Sequence, residues 1–236
     1  MTVPAPDGGG RAPRGRAVVV GASSLIGTAI AHRLRRGGWA VEAWGRDPDD
    51  LAARVPGCLV RQVDVTRRAD VERALRPEGG PLTALVYAAG VFDWADCDRA
   101  DPDTWQEVFD VNLTAAAGVV RLAAPLLLEH APSSLVLLGS TAAHRSFAHN
   151  AAYVASKHGL LGLSEAVRAE LGPRGVAVSI VNPGMVAAGA SLLSDRGRED
   201  PGSLLQAQDV AEAVHYAAAA PAHACISRID LAPRGD

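Results

Sequence analysis

The sequence predicts an α/β fold: one doubly wound domain with a seven-stranded parallel sheet and helices on both faces. Short apolar runs bounded by Gly, Pro or Asp alternate with longer amphipathic stretches along the whole chain. Several of the short runs are apolar without alternation, which is typical of strands buried on both faces of a parallel sheet. The 236 residues, of which 48% are hydrophobic, suit one such domain, and no repeat or linker interrupts the pattern.

Seven runs rich in β-branched residues or leucine are the predicted strands. In chain order they are residues 17–20, 40–44, 59–63, 84–88, 135–138, 176–181 and 226–231. Apolar residues at steps of three and four predict helices at 25–36, 103–113, 118–130, 151–171 and about 207–219. Gly37 after the first helix and Pro221 after the last are stop signals. Right-handed crossovers then place all strands in one sheet.

The ends and the composition of the chain restrict its class. Residues 1–15 are rich in Gly, Pro and Arg without the apolar centre of a signal peptide, so we expect a disordered tail before a single domain at 16–236. A net charge of −3 argues against a nucleic-acid partner. No apolar run approaches the ~20 residues of a membrane span. Three widely spaced cysteines indicate free thiols in the cytoplasm, and the histidines show no metal-binding spacing.

The first strand leads into a glycine-containing turn at the start of a helix. The turn reads Gly21-Ala22-Ser23-Ser24-Leu25-Ile26-Gly27. Glycines let the backbone approach a pyrophosphate, and the helix start supplies unpaired N–H groups and the positive end of its dipole. A glycine turn alone is a weak signal, but its place after the first strand of this alternation predicts a dinucleotide site.

The ends of the second and third strands bear on which dinucleotide would bind. In NAD sites, an acidic residue at the second strand end accepts hydrogen bonds from the ribose. Gly45 and then Arg46 stand here, and an arginine can pair with the 2′-phosphate of NADP. Arg46 could also be an ordinary surface arginine. Asp64 and Val65 could hold the adenine amino group, unless Asp64 caps the next helix.

Tyr153 and Lys157 are four residues apart on a predicted helix, so their side chains share a face. Lys157 is the only lysine among 23 basic residues, which suggests a position where a planar guanidinium will not serve. A phenol has a pKa near ~10, and a nearby ammonium together with a nicotinamide's positive charge would lower it. Ser140, at the end of the fifth strand, can hydrogen-bond a substrate oxygen while Tyr153 transfers the proton.

These residues and their order resemble the short-chain dehydrogenase/reductase family, in its single-domain branch of similar length. The resemblance covers about residues 16–231. The matching segments are Gly21-Ala22-Ser23-Ser24 with Ile26-Gly27, Asp64-Val65, Ala89-Gly90, Val111-Asn112-Leu113, Gly139-Ser140, Tyr153-x-x-Ser156-Lys157 and Val181-Asn182-Pro183-Gly184.

The resemblance implies a Rossmann fold, an NADP(H) cofactor and a small carbonyl or alcohol substrate. It implies a catalytic tetrad in which Tyr153 transfers the proton, Lys157 lowers the tyrosine pKa and holds the nicotinamide ribose, and Asn112 holds a water that links Lys157 to solvent; Ser140 completes the set. The implied cofactor contacts are Gly21, Ser23, Ser24, Leu25, Ile26, Gly27, Arg46, Asp64, Val65, Ala89, Gly90, Tyr153, Lys157, Pro183, Gly184 and Val186. A homodimer or homotetramer is also implied, through the helices at 103–130 and 151–171, which are rich in Ala and Leu.

The chain departs from the family pattern at several positions. Leu25 stands where the family has the middle glycine of the turn. Ala188 stands where the family usually has a threonine that hydrogen-bonds the carboxamide. The usual Asn-Asn-Ala-Gly stretch begins with Tyr87-Ala88, so we expect a brace of the central sheet to be missing. We expect Leu25 to rotate into the sheet–helix interface, where it would leave NADPH binding in the micromolar range.

The substrate side is formed by the loops at residues 91–101, 141–150 and 185–206, the last with three glycines of a possible mobile lid. The sequence does not indicate a substrate. Three hypotheses stay open: a carbonyl reductase or alcohol dehydrogenase, which is favoured; a redox-neutral enzyme such as an epimerase or cyclase; and a cofactor-poor binding protein, suggested by Leu25 and Ala188.

Overall fold

Seven parallel strands form one sheet with helices on both of its faces. The computed structural model describes residues 14–76 and 80–235. The strands are β1 (Arg16–Val20), β2 (Ala40–Gly45), β3 (Leu59–Gln62), β4 (Leu82–Tyr87), β5 (Ser133–Leu138), β6 (Val176–Pro183) and β7 (Arg228–Leu231). Their spatial order is β3-β2-β1-β4-β5-β6-β7, and every neighbouring pair is parallel. The predicted doubly wound sheet is confirmed.

Within the described residues, eight α-helices lie between successive strands. They are α1 (Leu25–Arg36), α2 (Pro48–Arg54), α3 (Arg68–Ala74), α4 (Pro102–Phe109), α5 (Ala115–Glu129), α6 (Ala151–Leu171), α7 (Asp195–Glu199) and α8 (Ala207–Ala218). Two apolar clusters, one on each face of the sheet, form the core. Strand order reverses between β1 and β4, and a ligand crevice is expected at the carboxyl ends of the strands there.

The two helices predicted at 103–113 and 118–130 are one continuous helix. A π-helical turn, Asp110–Thr114, joins α4 to α5. An 18-residue stretch of the joined helix Pro102–Glu129 has a mean hydropathy of 1.7, and of the described helices this one alone reaches the length and composition of a membrane span. Core helices of soluble proteins meet the same criterion, and here Val119, Ala123 and Leu127 lie in the core. The sequence-based expectation concerned unbroken apolar runs, and it did not consider that the two helices join into one.

The predicted tail at 1–15 lies outside the described residues except for its last two. Arg14 donates its backbone N–H to the carbonyl of Gly38 at 3.1 Å, and its guanidinium lies 4.7 Å from the centre of the Trp39 ring. The hydroxyl of Thr83 donates to the Arg14 carbonyl. Arg14, the first residue that the structure describes, is therefore already in contact with the domain.

Candidate active site

The turn after β1 is packed so closely that two of its glycines have no room for a side chain. Gly21 has φ of +80°, and a Cβ there would lie 2.6 Å from backbone atoms of Ala89. A Cβ on Gly27 would overlap the Gly21 carbonyl oxygen. Ser24 caps α1, with its Oγ accepting from the Gly27 N–H at 2.9 Å, and the first turn of α1 carries no acidic residue. The helix start is therefore suited to an anion such as a diphosphate.

Leu25 lies on the outside of this turn. Its side chain is 53% exposed, so the expectation that it rotates into the sheet–helix interface is wrong. As the first residue of α1, it stands at the edge of the anion-binding surface, and Ile26 is the neighbour that turns towards the core. Sequence alone could not separate the two orientations, because both place an apolar residue at the same point of the pattern.

The end of β2 offers no carboxylate to a ribose. A Cβ on Gly45 would lie 3.1 Å from the Leu51 side chain and 3.5 Å from Oγ of Ser23, so the strand end faces the β1 turn. Arg46 follows with an exposed side chain, for which no ion pair is recorded among the described residues. An arginine at this position is able to pair with a phosphate group.

Asp64 makes local hydrogen bonds. Its Oδ1 accepts from the N–H and the hydroxyl of Thr66, at 3.0 and 2.7 Å. Helix α3 starts only at Arg68, with Arg67 as N-cap, so Asp64 caps the turn before the helix and not the helix itself. Val65 beside it is half-buried against the core.

Tyr153, Lys157 and Ser140 meet at the carboxyl ends of β4 and β5. Burial raises the pKa of Tyr153, and a hydrogen bond from the Ser140 side chain opposes that rise. Nζ of Lys157 lies 5.5 Å from the centre of the Tyr153 ring and donates to the Leu138 carbonyl at 3.0 Å. Ser140 also accepts from the Ala142 N–H at 3.1 Å, which orients its hydroxyl. The predicted proton donor, the lysine that would lower its pKa and the serine that would share the substrate oxygen are therefore neighbours.

The Lys157 ammonium is costly to the fold. Burial lowers the pKa of Lys157 from 10.5 to about 8, because the charged form is poorly solvated. A lowered lysine pKa means that the unfolded chain binds more protons than the folded one between about pH 8 and 10.5, so this group's contribution to stability improves as pH rises through that window. At neutral pH the buried charge destabilises the fold, and chemistry is the better reason for its presence.

Asn112 joins this group from the π-helical turn. Its side chain is fully buried and makes two hydrogen bonds with the backbone of Val91. Oδ1 accepts from the Val91 N–H at 2.8 Å, and Nδ2 donates to the Val91 carbonyl at 2.9 Å. Nδ2 also donates to Oγ of Ser156 at 3.1 Å. A Cβ on Gly90 would lie 3.3 Å from Oδ1 of Asn112 and 3.7 Å from Nζ of Lys157. Asn112 thus ties the β4 loop to the helix that carries Tyr153.

Two residues that the sequence did not single out as functional support the site. Tyr87 is fully buried and donates its hydroxyl to the Val111 carbonyl at 2.6 Å, so the brace expected to be missing is supplied by a tyrosine. Asp93 is 3% exposed, and its Oδ1 accepts from the backbone N–H of Tyr153 at 3.0 Å. It caps α6 in place of Asn150, whose side chain makes no cap bond. Neither contact has a local sequence signal.

The segment after β6 closes the other side. Pro183 ends the strand, and Gly184 donates its N–H to the Leu231 carbonyl at 2.7 Å. Val186 is 4% exposed and packs in the core, so only its backbone is available to a cofactor. Ala188 donates its N–H to the Val186 carbonyl at 2.6 Å and has no side-chain hydroxyl to offer a carboxamide. Ala89 is half-buried beside Gly21.

The assembled residues fit a nicotinamide dinucleotide. The β1 turn leaves bare backbone and helix-start N–H groups for a diphosphate. Arg46 stands where the adenosine ribose is expected. The buried Lys157 ammonium donates one hydrogen bond to the Leu138 carbonyl and has further N–H donors for a ligand. Across the same crevice, Ser140 and Tyr153 present hydroxyls that can hold a carbonyl oxygen and protonate it.

Comparison with known proteins supports this interpretation. A family model described as short chain dehydrogenase matches residues 16–197. An uncharacterized oxidoreductase of Staphylococcus aureus (strain MW2) is 30% identical, with 92% of this chain and 96% of that protein covered. A dehydrogenase/reductase from Sinorhizobium meliloti is 29% identical with a TM-score of 0.82, covering 93% of this chain and 94% of that one. A variant of actinorhodin polyketide ketoreductase, solved with NADPH, is 27% identical with a TM-score of 0.82, covering 92% and 95%.

Proposed function

The chain belongs to the short-chain dehydrogenase family, and we propose that it is an NADP(H)-dependent carbonyl reductase or alcohol dehydrogenase in which Tyr153 is the acid/base. Membership of this family means that the protein is an oxidoreductase with an NAD(P)H cofactor and a small-molecule substrate. The observation that carries the finer proposal is the meeting of Ser140, Tyr153 and Lys157 beside the glycine turn. The neighbour solved with NADPH lends support to the choice of cofactor.

In the proposed reduction, NADPH held by the β1 turn, Arg46 and Lys157 would supply the hydride for the carbonyl carbon. Ser140 and Tyr153 hold the carbonyl oxygen through their hydroxyls. As negative charge develops on that oxygen, the Tyr153 O–H bond breaks and its proton passes to the oxygen, which gives the alcohol. Lys157 stabilises the phenolate that is left, because its ammonium lies on the same face of α6. Alcohol oxidation runs through the same groups in reverse.

The reaction is tested by net consumption of NADPH against a panel of aldehydes and ketones. Steady loss of NADPH together with an equal amount of alcohol is the expected result. Conversion of a substrate without net NADPH consumption would favour the redox-neutral enzyme. Calorimetric titration separates the third hypothesis: we expect micromolar NADPH binding. Absence of binding at millimolar cofactor, restored by Leu25→Gly, would make this a cofactor-poor binding protein.

Arg46 is expected to give a preference for NADPH over NADH. One charge-assisted hydrogen bond to the 2′-phosphate is worth roughly ten- to a hundredfold in kcat/KM. Arg46→Ala should therefore lower kcat/KM for NADPH by that factor and leave the value for NADH nearly unchanged. The measurement is kcat/KM for both cofactors in both proteins.

The matched control for this change is Arg36→Ala, which removes an exposed arginine at the last residue of α1, at the opposite end of that helix from the β1 turn. It should leave both cofactors unaffected. Equal kcat/KM for NADPH and NADH in the wild-type protein would reject the preference, and so would an equal loss for both cofactors in Arg46→Ala.

We also propose that the protein forms a homodimer or homotetramer through α5 and α6. A groove of about 650 Å³ between these helices is lined mainly by apolar side chains, with Pro125, Leu128, Leu163 and Val167 among them. Light scattering at micromolar concentration should give a mass two or four times the 24.4 kDa of the chain. Leu163→Glu would place a charge in the interface and should shift the mass towards the monomer. A monomeric wild-type protein would refute the proposal.

A further inference from the structure

Three rings continue outward from the ring of Tyr153. Phe92 meets Tyr153 edge-on, with ring centres 4.8 Å apart and an interplanar angle of 64°. Trp94 stacks on Phe92 at 6.1 Å and 27°. His149 then lies 5.4 Å from Trp94. We call Phe92, Trp94 and His149 the aromatic platform; it links the β4 loop to the loop before α6.

The two apolar rings of the platform are exposed. Trp94 is 70% and Phe92 is 37% exposed, whereas Trp39 and Trp44 are buried to within 2%. An indole left in water forgoes a large burial energy, and exposed aromatic rings beside a reactive group are typical of binding surfaces. The proposed proton transfer uses neither ring, so their position calls for another explanation.

The platform is held rigidly by polar bonds on both sides. The Asp93 carboxylate, between the two apolar rings in sequence, accepts from the Tyr153 N–H at 3.0 Å. Ala95 donates its N–H to the His149 carbonyl at 2.7 Å, and the His149 ring is bonded to the Asp96 carboxylate at 2.7 Å. His149 has φ of +66°, a left-handed conformation that is uncommon outside glycine. A surface fixed in this way loses little entropy when a flat ligand binds.

We propose that the aromatic platform binds an aromatic ring of the substrate, so that the preferred substrates are neutral aryl ketones, aryl aldehydes or the matching alcohols. The inference rests on the proposed function of Tyr153. Phe92 touches the Tyr153 ring, so a ring attached directly to the reacting carbonyl reaches Phe92 first, and a second fused ring extends to Trp94. At the outer edge, the Asp96 carboxylate is hydrogen-bonded to the His149 ring at 2.7 Å and lies 4.0 Å from the Arg99 guanidinium, so it offers no unpaired charge to an ionic group of a substrate.

The test compares a naphthyl methyl ketone with its decalyl counterpart, which has the same carbon skeleton but saturated rings. The wild-type protein should show the lower KM for the naphthyl ketone. Stacking and edge-on ring contacts contribute roughly a two- to tenfold effect, so Trp94→Leu should lower kcat/KM for the naphthyl ketone by about that factor, through KM. The decalyl ketone should change less than twofold. Trp94→Phe should restore most of the loss.

A matched control and a binding measurement separate this inference from the proposed reaction. Tyr216→Leu removes a ring that is 66% exposed on α8 and should have no effect on either ketone. Calorimetry of the protein with naphthyl carbinol should show binding that Trp94→Leu weakens. No loss for the naphthyl ketone in Trp94→Leu, or an equal loss for both ketones, overturns the inference alone. If neither ketone is reduced with either cofactor, the proposed reaction fails, and unchanged carbinol binding in Trp94→Leu then overturns the inference as well.

Discussion

Tyr153→Phe is expected to remove nearly all turnover while leaving NADPH binding intact. The change deletes one hydroxyl and keeps the ring that contacts Phe92 and faces Lys157. A positioned general acid contributes typically ~10²–10⁴-fold to a rate, and no other described phenol lies in this crevice to take its place. Lys157 keeps its bond to the Leu138 carbonyl, so the ribose side of the site is unchanged.

The measurement is kcat with the best ketone from the panel, together with calorimetric NADPH titration. The dissociation constant of NADPH should stay within about twofold, because no lost contact involves the cofactor's phosphates. Tyr216→Phe, which removes an exposed hydroxyl on α8, is the control and should keep full activity. If Tyr153→Phe retained more than a tenth of the wild-type rate, another group would be the proton donor.

The sheet was predictable because each strand is a short apolar run between turn residues. All seven predicted strands agree with the observed ones to within two residues at each end. Helices α2 and α3 were not predicted, since each has only seven residues and too few apolar positions to show a period. Helix α2 has only a local signal, in which Asp47 caps the helix and Pro48 is its first residue.

The site was predictable where its residues lie within one motif. Tyr153 and Lys157 share one helix, and the β1 turn is contiguous, so spacing alone places them. Contacts between distant segments have no such signal. Asp93 reaches the Tyr153 N–H across 60 residues of sequence, and Tyr87 reaches the Val111 carbonyl across 24. Both depend on the tertiary packing of the β4 loop against α4–α6.

A buried charge cluster on strands β1, β2 and β3 was also absent from the sequence analysis. The carboxylate of Glu42 on β2 is fully buried and accepts from three donors: Arg16 Nη1 at 3.0 Å, Arg61 Nε at 2.7 Å and Trp44 Nε1 at 2.8 Å. Arg16 is 1% exposed, while the Arg61 side chain is 27% exposed. These residues lie on β1, β2 and β3, so one carboxylate joins three adjacent strands.

Glu42→Gln should lower the free energy of unfolding by about 3 kcal/mol or more, because it keeps the volume but leaves the Arg16 guanidinium buried without a counter-charge. Arg61 can turn towards water and limits the loss. Denaturant unfolding would measure the change. The control is Asp50→Asn, in an exposed ion pair with Arg54 on α2, where a much smaller loss is expected because water screens the pair. A loss for Glu42→Gln no larger than the control's would show that Arg16 finds water or another partner. Replacing the inner pair together, with Arg16→Met and Glu42→Leu, should recover much of the stability, since a buried ion pair seldom outperforms apolar packing of similar volume.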